Sequence, residues 1–382
     1  MGTTDWHKCK FLESVGNLKP LVKERFGREP STTLAREIIA CLLQGRLFYE
    51  AAVSSPLEIR PLQQFYGMIG FSKALIVSSQ LKSLTTLRQS HGLRDISAGG
   101  SRIADLRVKI ENAGTFQAFN DVVAALTRLS YIDSQTRSRR IAIPSASSAQ
   151  LTGCELTLKD ILARVPTLES LYRMTFGGDA QTASIDLQTG FQGEDQEFRI
   201  RIDDPEIVED RATLKQIVDR WRSRFPLLQS WRLASAQQAW GNTVIYLRNT
   251  PSLGLDEFSD EYLALENGAF QERPIPGDQN QRFTLEQGIR PVAGGLGRRI
   301  YAMAPINDTY LSEFSVHYLG LFLLSSLVRY RPQAWAHAVS RSSFPGEPAD
   351  DKSLSLIERF LDINQNEIPE MVVKVLNSNE DP

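Results

Sequence analysis

Apolar residues recur at helical spacing from Leu34 through Ile38, Cys41 or Leu42, and Phe48 or Tyr49, which predicts an amphipathic helix over 31–53. Pro30 precedes it, Ser31 or Thr32 supplies the N-cap, and Ser54-Ser55-Pro56 ends it. A second helix is predicted over 60–79, with Pro61 in its first turn and Leu62, Phe65, Tyr66, Ile69, Lys73 and Ile76 on overlapping faces. The connection between the two is short, so they are expected to pack antiparallel. Residues 1–30 read as a short leading helix and a loop.

The texture changes from Ser97. Arg102–Glu111 alternates like a strand and stops at Asn112-Ala113-Gly114. Thr115 then caps a helix carrying Phe116, Phe119, Val122 and Val123. Residues 132–153, with Arg137-Ser138-Arg139-Arg140, read as an exposed connection or a strand edge. Thr157 caps a helix through Leu158, Ile161 and Leu162. Segments 183–188 and 197–203 alternate around Gly190 and Gly193 as in a hairpin, and Asp210–Phe225 is an amphipathic helix. Strands follow at 231–237 and 242–249, then mostly loop over 251–290, then a strand at 299–305. Helices over 309–330, 332–340, 353–364 and 368–377 close the chain. The apolar run from Tyr318 to Val328 needs a buried partner, and the opening helices are the expected one.

Helices, then mixed structure, then helices make an α+β fold. It divides into a helical N-terminal half (1–95), a mixed α/β region (96–306) and a helical C-terminal half (307–382) packing on the N-terminal helices.

Composition narrows the function classes. The chain has 382 residues, 42% of them hydrophobic and 23% charged, enough to bury a core, and its formal net charge of -2 argues against a surface built throughout for nucleic acid. Cys9, Cys41 and Cys154 form no CxxC pair, so free thiols in a reducing cytoplasm are expected, with no metal site and no cofactor. The first residues lack an apolar stretch of signal-peptide length, and the Tyr318–Val328 run falls short of the ~20 residues of a membrane span. The chain is therefore read as cytoplasmic, without a membrane partner.

Few residues look chemical. Gly294-Gly295-Leu296-Gly297-Arg298-Arg299 lacks the lysine and Ser/Thr of a P-loop and precedes a strand, so it reads as a glycine-rich turn. Asp203-Asp204-Pro205-Glu206 reads as a solvated helix start. His91 precedes Gly92, which permits a close backbone approach. Tyr66 and Lys73 stand seven apart on one helix face, within reach of a loop returning His91. These three, with Arg329, are the ligand-binding candidates, suited to phosphate or a nucleotide. The bland alternative makes His91 a local cap and Lys73 a snorkelling side chain. Arg329 and Arg331 suit either a core carboxylate or a phosphate.

Two resemblances add to this. Arg46-Leu47-Phe48-Tyr49-Glu50-Ala51-Ala52, Phe65-Tyr66-Gly67 through Lys73-Ala74-Leu75, and His91-Gly92-Leu93 resemble the two-helix heart of HEPN-type domains. A second resemblance, to the YaaC-like family, covers most of the chain. It rests on Tyr66-Gly67 with Lys73-Ala74, His91-Gly92-Leu93, Asn112-Ala113-Gly114-Thr115-Phe116, Leu158-Lys159-Asp160-Ile161, Arg329-Tyr330-Arg331-Pro332 with Trp335, and Ile368-Pro369. Some HEPN relatives cut RNA with an arginine and a histidine placed on one helix face. Arg331 and His337, with PQAWA between them, match that bare spacing, although Pro332 puts Arg331 at a helix start. His91 is a further catalytic candidate. The preferred expectation is a non-catalytic binding or assembly module in bacterial defence or stress, with a protein partner or a second copy of itself. The alternatives are a metal-independent ribonuclease and a nucleotide-binding regulator.

Overall fold

The computed structural model describes residues 6–99, 102–126, 129–133, 138–142, 147–192, 195–248, 256–273, 298–306, 310–339 and 353–377. Helices α1 (Trp6–Leu12), α2 (Val15–Phe26), α3 (Thr32–Val53) and α4 (Arg60–Gln80) open the chain. Strands β1 (Leu93–Asp95) and β2 (Arg107–Ile110), helix α5 (Thr115–Leu126) and strands β3 (Leu129–Asp133) and β4 (Ser138–Ala142) follow. Next come α6 (Ser148–Leu151), β5 (Glu155–Thr157), α7 (Leu158–Leu162) and α8 (Glu169–Phe176). Strands β6 (Thr182–Gln192) and β7 (Asp195–Asp204), helix α9 (Arg211–Arg224) and strands β8 (Arg232–Ala239), β9 (Asn242–Arg248), β10 (Leu263–Glu266), β11 (Ala269–Glu272) and β12 (Arg298–Met303) come after them. Helices α10 (Glu313–Tyr330), α11 (Pro332–Val339) and α12 (Leu354–Leu376) close the chain. The fold is α+β.

The chain divides into two compact units. One takes Met1–Leu126, Ala146–Ala180 and Leu311–Pro382; the other takes Thr127–Ser145 and Gln181–Tyr310. Residues 96–126 and 146–180, read from sequence with the middle region, thus group with the helices.

In the helical unit, Ser31 accepts the Leu34 N–H and starts α3 as expected of an N-cap. α3 and α4 run antiparallel, since Tyr49 lies beside Gly67 while Gly45 lies beside Gly70. Small residues set this closeness. A Cβ on Gly70 would stand 2.8 Å from the Gly45 nitrogen, and one on Gly67 would stand 2.4 Å from the Tyr49 ring. α10 and α12 both pack on α4, and α10 also packs on α5 and α7. The apolar α10 is buried from Phe314 to Leu327. Among the described residues no helix is long and apolar enough to cross a membrane.

A polar layer runs through this apolar contact. Tyr49 Oη donates to Asn364 Oδ1 at 2.7 Å, and Asn364 Nδ2 lies 3.2 Å from His317 Nδ1. All three residues are fully buried. The His317 ring stacks on Phe360, and Gly320 leaves room for that phenyl ring. Gln365 Nε2 donates to the Tyr49 carbonyl, and Gln64 Nε2 donates to Gln365 Oε1 and to the Leu361 carbonyl. The layer thus ties α12 to α3, α4 and α10.

In the second unit seven strands form an antiparallel sheet in the order β10-β11-β8-β9-β7-β6-β12, while β3 and β4 pair with each other. Ile200, Ile202, Leu233, Ala236, Ile245 and Leu247 from its strands share a core with Leu214, Ile217, Val218 and Trp221 of α9.

Four sequence expectations are corrected. The stretch 251–290 holds the β10–β11 hairpin, turning at Asn267-Gly268 with both residues at positive φ. The two helices expected over 353–377 are the single helix α12, with Pro369 inside it. Ile368, Pro369, Val372 and Val373 are all buried, and their apolar burial offsets the cost of the lost N–H. The alternating segment 102–111 is strand only over Arg107–Ile110, after a 3-10 turn at Ile103–Asp105. Asp204 is no solvated charge: it is buried and accepts from Arg220 and from Trp221 Nε1. The Gly294–Gly297 turn lies outside the described residues.

Candidate functional site

The first N–H groups of a helix find no acceptor within it. At the start of α5 they are satisfied by the segment following α4. Thr115 N–H donates to the Ser90 carbonyl at 2.8 Å, and Phe116 N–H donates to the His91 carbonyl at 3.0 Å. Gln117 Nε2 donates to the carbonyls of Gly92 and Glu111 at 2.8 and 2.6 Å. Two glycines make the approach possible. Gly92 has φ +73°, and the Gln117 amide fills the place where its Cβ would be. Gly114 has φ +156°, and a Cβ there would stand 2.3 Å from the Gly92 nitrogen. The capping role foreseen for His91 therefore falls to its backbone carbonyl, and the imidazole is left for other contacts.

That imidazole lies on an aromatic floor, with ring centroids 5.4 Å from Phe65 and 6.2 Å from Phe322. The Arg329 guanidinium lies 5.7 Å from the Phe65 centroid and 5.0 Å from that of Tyr330, and its Nε donates to the Ser325 carbonyl at 3.2 Å. Lys73, on α4, adds a positive charge that acts on His91. Burial holds the His91 pKa below the ordinary histidine value, and the positive charges of Arg329 and then Lys73 push it the same way. His91 is thus a neutral imidazole at pH 7. Among the described residues, no carboxylate is paired with Lys73 or Arg329.

Arg331 takes a different direction. Its Nη2 donates to the Ser97 carbonyl at 3.0 Å and lies 3.5 Å from Asp95 Oδ1. Asp95 also accepts from the Ser97 N–H and hydroxyl and from the Ser326 hydroxyl. Burial alone would raise the Asp95 pKa, but the Ser97 and Ser326 hydrogen bonds and the Arg331 charge outweigh it, so the carboxyl is held below its usual range.

Of the candidates read from sequence, His91 and Arg329 share the Phe65 ring, and the Lys73 charge acts on His91 from α4. Tyr66, 38% exposed, stands one ring away, its centroid 5.6 Å from Phe48 and 6.2 Å from Phe65. Arg331 serves Asp95. His337 belongs to α11, and its side chain lies outside the described residues. The reading missed Phe65 and Phe322 as the floor under His91, because their helical spacing marks them only as core. Among the described residues no group of three His, Cys, Asp or Glu is placed to hold a metal ion.

Beneath the floor, Tyr318 packs against Phe65, Phe116 and Phe119, and its buried hydroxyl has no hydrogen-bond partner among the described residues. An unpaired buried hydroxyl stabilises nothing. Tyr318→Phe is therefore expected to leave the unfolding free energy unchanged or raise it by up to about 1 kcal/mol. Denaturant melts check this; a loss above that size would show that the hydroxyl has a partner.

The short segments behind the family resemblance meet in space. His91-Gly92 lies on Gly114-Thr115-Phe116, and Arg329 packs on the Phe65 ring that His91 also touches. Trp335 is buried and donates from Nε1 to the Glu58 carbonyl at 3.0 Å, fixing the chain beyond Arg331 to the start of α4. No curated protein and no solved structure matches the chain. The family model described as YaaC-like Protein matches residues 12–376, which takes in every one of these segments, and the chain belongs to the YaaC-like family.

Proposed function

We propose that the chain is a non-catalytic binding module whose His91 face takes a phosphate-bearing ligand. The observation that carries this reading is that Arg329 and His91 share the Phe65 ring while Lys73 adds a second positive charge acting on His91, with neither cation paired with a carboxylate among the described residues. Two unpaired cations favour an anion, and each charge-assisted hydrogen bond they make contributes about 1.5–3 kcal/mol. The aromatic floor lowers the local dielectric and strengthens that attraction. Tyr330, 72% exposed beside Arg329, offers a flat face to a base or another ring. A ribonuclease reading draws less support here, because Arg331 is engaged by Asp95 and Ser97. The antiparallel α3–α4 pair supports the HEPN-like character of the helical unit.

The test uses the full chain with inorganic phosphate and ATP as probes. Either probe should move the His91 imidazole resonances. Lys73→Met, which keeps an aliphatic stem, should weaken binding at least tenfold and change stability by less than about 0.5 kcal/mol. Lys73→Met should also raise the His91 pKa by removing one of its three depressing causes. The sign for stability follows. Between the ordinary histidine value and the lowered folded one, the unfolded chain binds more protons, so stability falls as pH falls through that window. In Lys73→Met the fall should be smaller. Equal binding by wild type and variant, or no response of His91 to either probe, would overturn the reading.

A further inference from the structure

The sheet unit holds a charge that finds no hydrogen-bond partner for its two terminal nitrogens among the described residues. Arg232 opens β8 and stands directly opposite Arg248 at the end of β9, which in turn stands opposite Arg199 on β7. Like charges directly opposite each other in a sheet repel. Arg248 is served: its Nη2 lies 2.9 Å from Glu272 Oε2. That carboxylate also accepts from the Tyr262 hydroxyl at 3.1 Å, and the same hydroxyl donates to the Leu233 carbonyl. Arg232 differs: it is 6% exposed, and its Nη1 and Nη2 are buried with no hydrogen-bond partner among the described residues. Its guanidinium carbon sits 4.0 Å from the Tyr262 ring centroid, so one face is covered by an aromatic ring. This cation–π contact occupies a face of the guanidinium and leaves the Nη1 and Nη2 donors, which lie in its plane, without a partner among the described residues.

A guanidinium is a cation with five donors and no acceptor, and a buried charge is ordinarily paired. The two terminal nitrogens of the fork match two oxygens of one carboxylate or phosphate. Tyr262, itself fully buried and bonded to the β8 backbone, fixes the plane in which that fork lies. We propose that the Arg232 corner of the sheet is a binding site for a small oxyanion, a carboxylate or a phosphate, held edge-on by Arg232 with Arg248 beside it. This site is separate from the His91 face and does not depend on it.

Thermal unfolding of the full chain tests the proposal in chloride, acetate and phosphate buffers of matched ionic strength. Working in the Lys73→Met variant removes the His91 face from the result. The expected outcome is a concentration-dependent rise in Tm with acetate or phosphate relative to chloride, present in wild type and Lys73→Met and lost when Arg232→Met is added. Which of the two anions acts tells carboxylate from phosphate. Should Arg232→Met not fold, Arg232→Lys keeps the charge without the fork and should bind at least tenfold more weakly. The proposal is overturned if neither anion raises the Tm of Lys73→Met, or if the Arg232 variants respond as Lys73→Met does.

Discussion

Gly114→Ala is expected to lower the unfolding free energy by about 3 kcal/mol, combining backbone strain with overpacking. The strain arises because φ at Gly114 is +156°, where an L side chain is rarely found. The overpacking is more specific. The new methyl would stand 2.3 Å from the Gly92 nitrogen, 2.4 Å from its Cα and 2.8 Å from the His91 carbonyl carbon. All three are backbone atoms, and they cannot swing aside as a side chain can. Relief requires the His91-Gly92 segment to lift from α5, breaking the bonds that Ser90 and His91 accept from Thr115 and Phe116. The variant should therefore lose the His91 response to phosphate as well as stability. Gly177→Ala is the control. Gly177 also has positive φ, +71°, but its Cβ would meet open space. Its loss should be only the strain, about 1 kcal/mol. Equal losses at both positions would show that the two-loop contact carries no energy of its own.

Asn364→Leu should cost about 4 kcal/mol, because it leaves two fully buried polar groups, the Tyr49 hydroxyl and the His317 ring, without the partner they share. Leucine fills a similar volume, so a cavity is not the main cause. The attribution is checked by a double-mutant cycle with Tyr49→Phe, which removes one orphaned group. In the Asn364→Leu background Tyr49→Phe should recover about 1–2 kcal/mol, whereas in wild type it should cost about 1 kcal/mol. Additive losses would mean that the hydroxyl and the amide act independently.

Much of the fold could be read from residues whose environment their local pattern dictates. Ser31 caps α3 and Pro61 opens α4, because capping and the missing proline N–H act within a single turn. The β10–β11 hairpin was legible too, since Asn-Gly between short apolar stretches is the strongest local hairpin signal, but the polar residues around it masked it. What sequence could not show is pairing at a distance. Asp204 looks like one charge in a solvated run until α9 brings Arg220 and Trp221 to it. Asn364 looks like an exposed break in the apolar stripe of α12 until α3 and α10 close over it. The site divides the same way. Tyr66 and Lys73 share a helix and were legible as a pair, whereas the meeting of Arg329 with His91 is set by how α10 packs on α4. Arg232 reads as an ordinary strand residue, because its burial and the lack of an acceptor for its terminal nitrogens among the described residues belong to the tertiary structure alone.

The helical unit is discontinuous in sequence: its last segment begins at Leu311, after the whole of Gln181–Tyr310. On the ribosome this sets an order of events. Lys73 and His91 leave the exit tunnel early, but α10, which brings Arg329, and α12, which closes the polar layer, are made last. Until then the faces of α4 that α10 and α12 cover are open, and contacts between segments so far apart close slowly. A nascent chain stalled before Leu311 should therefore be a client for chaperones and, under the proposed function, should fail to bind phosphate.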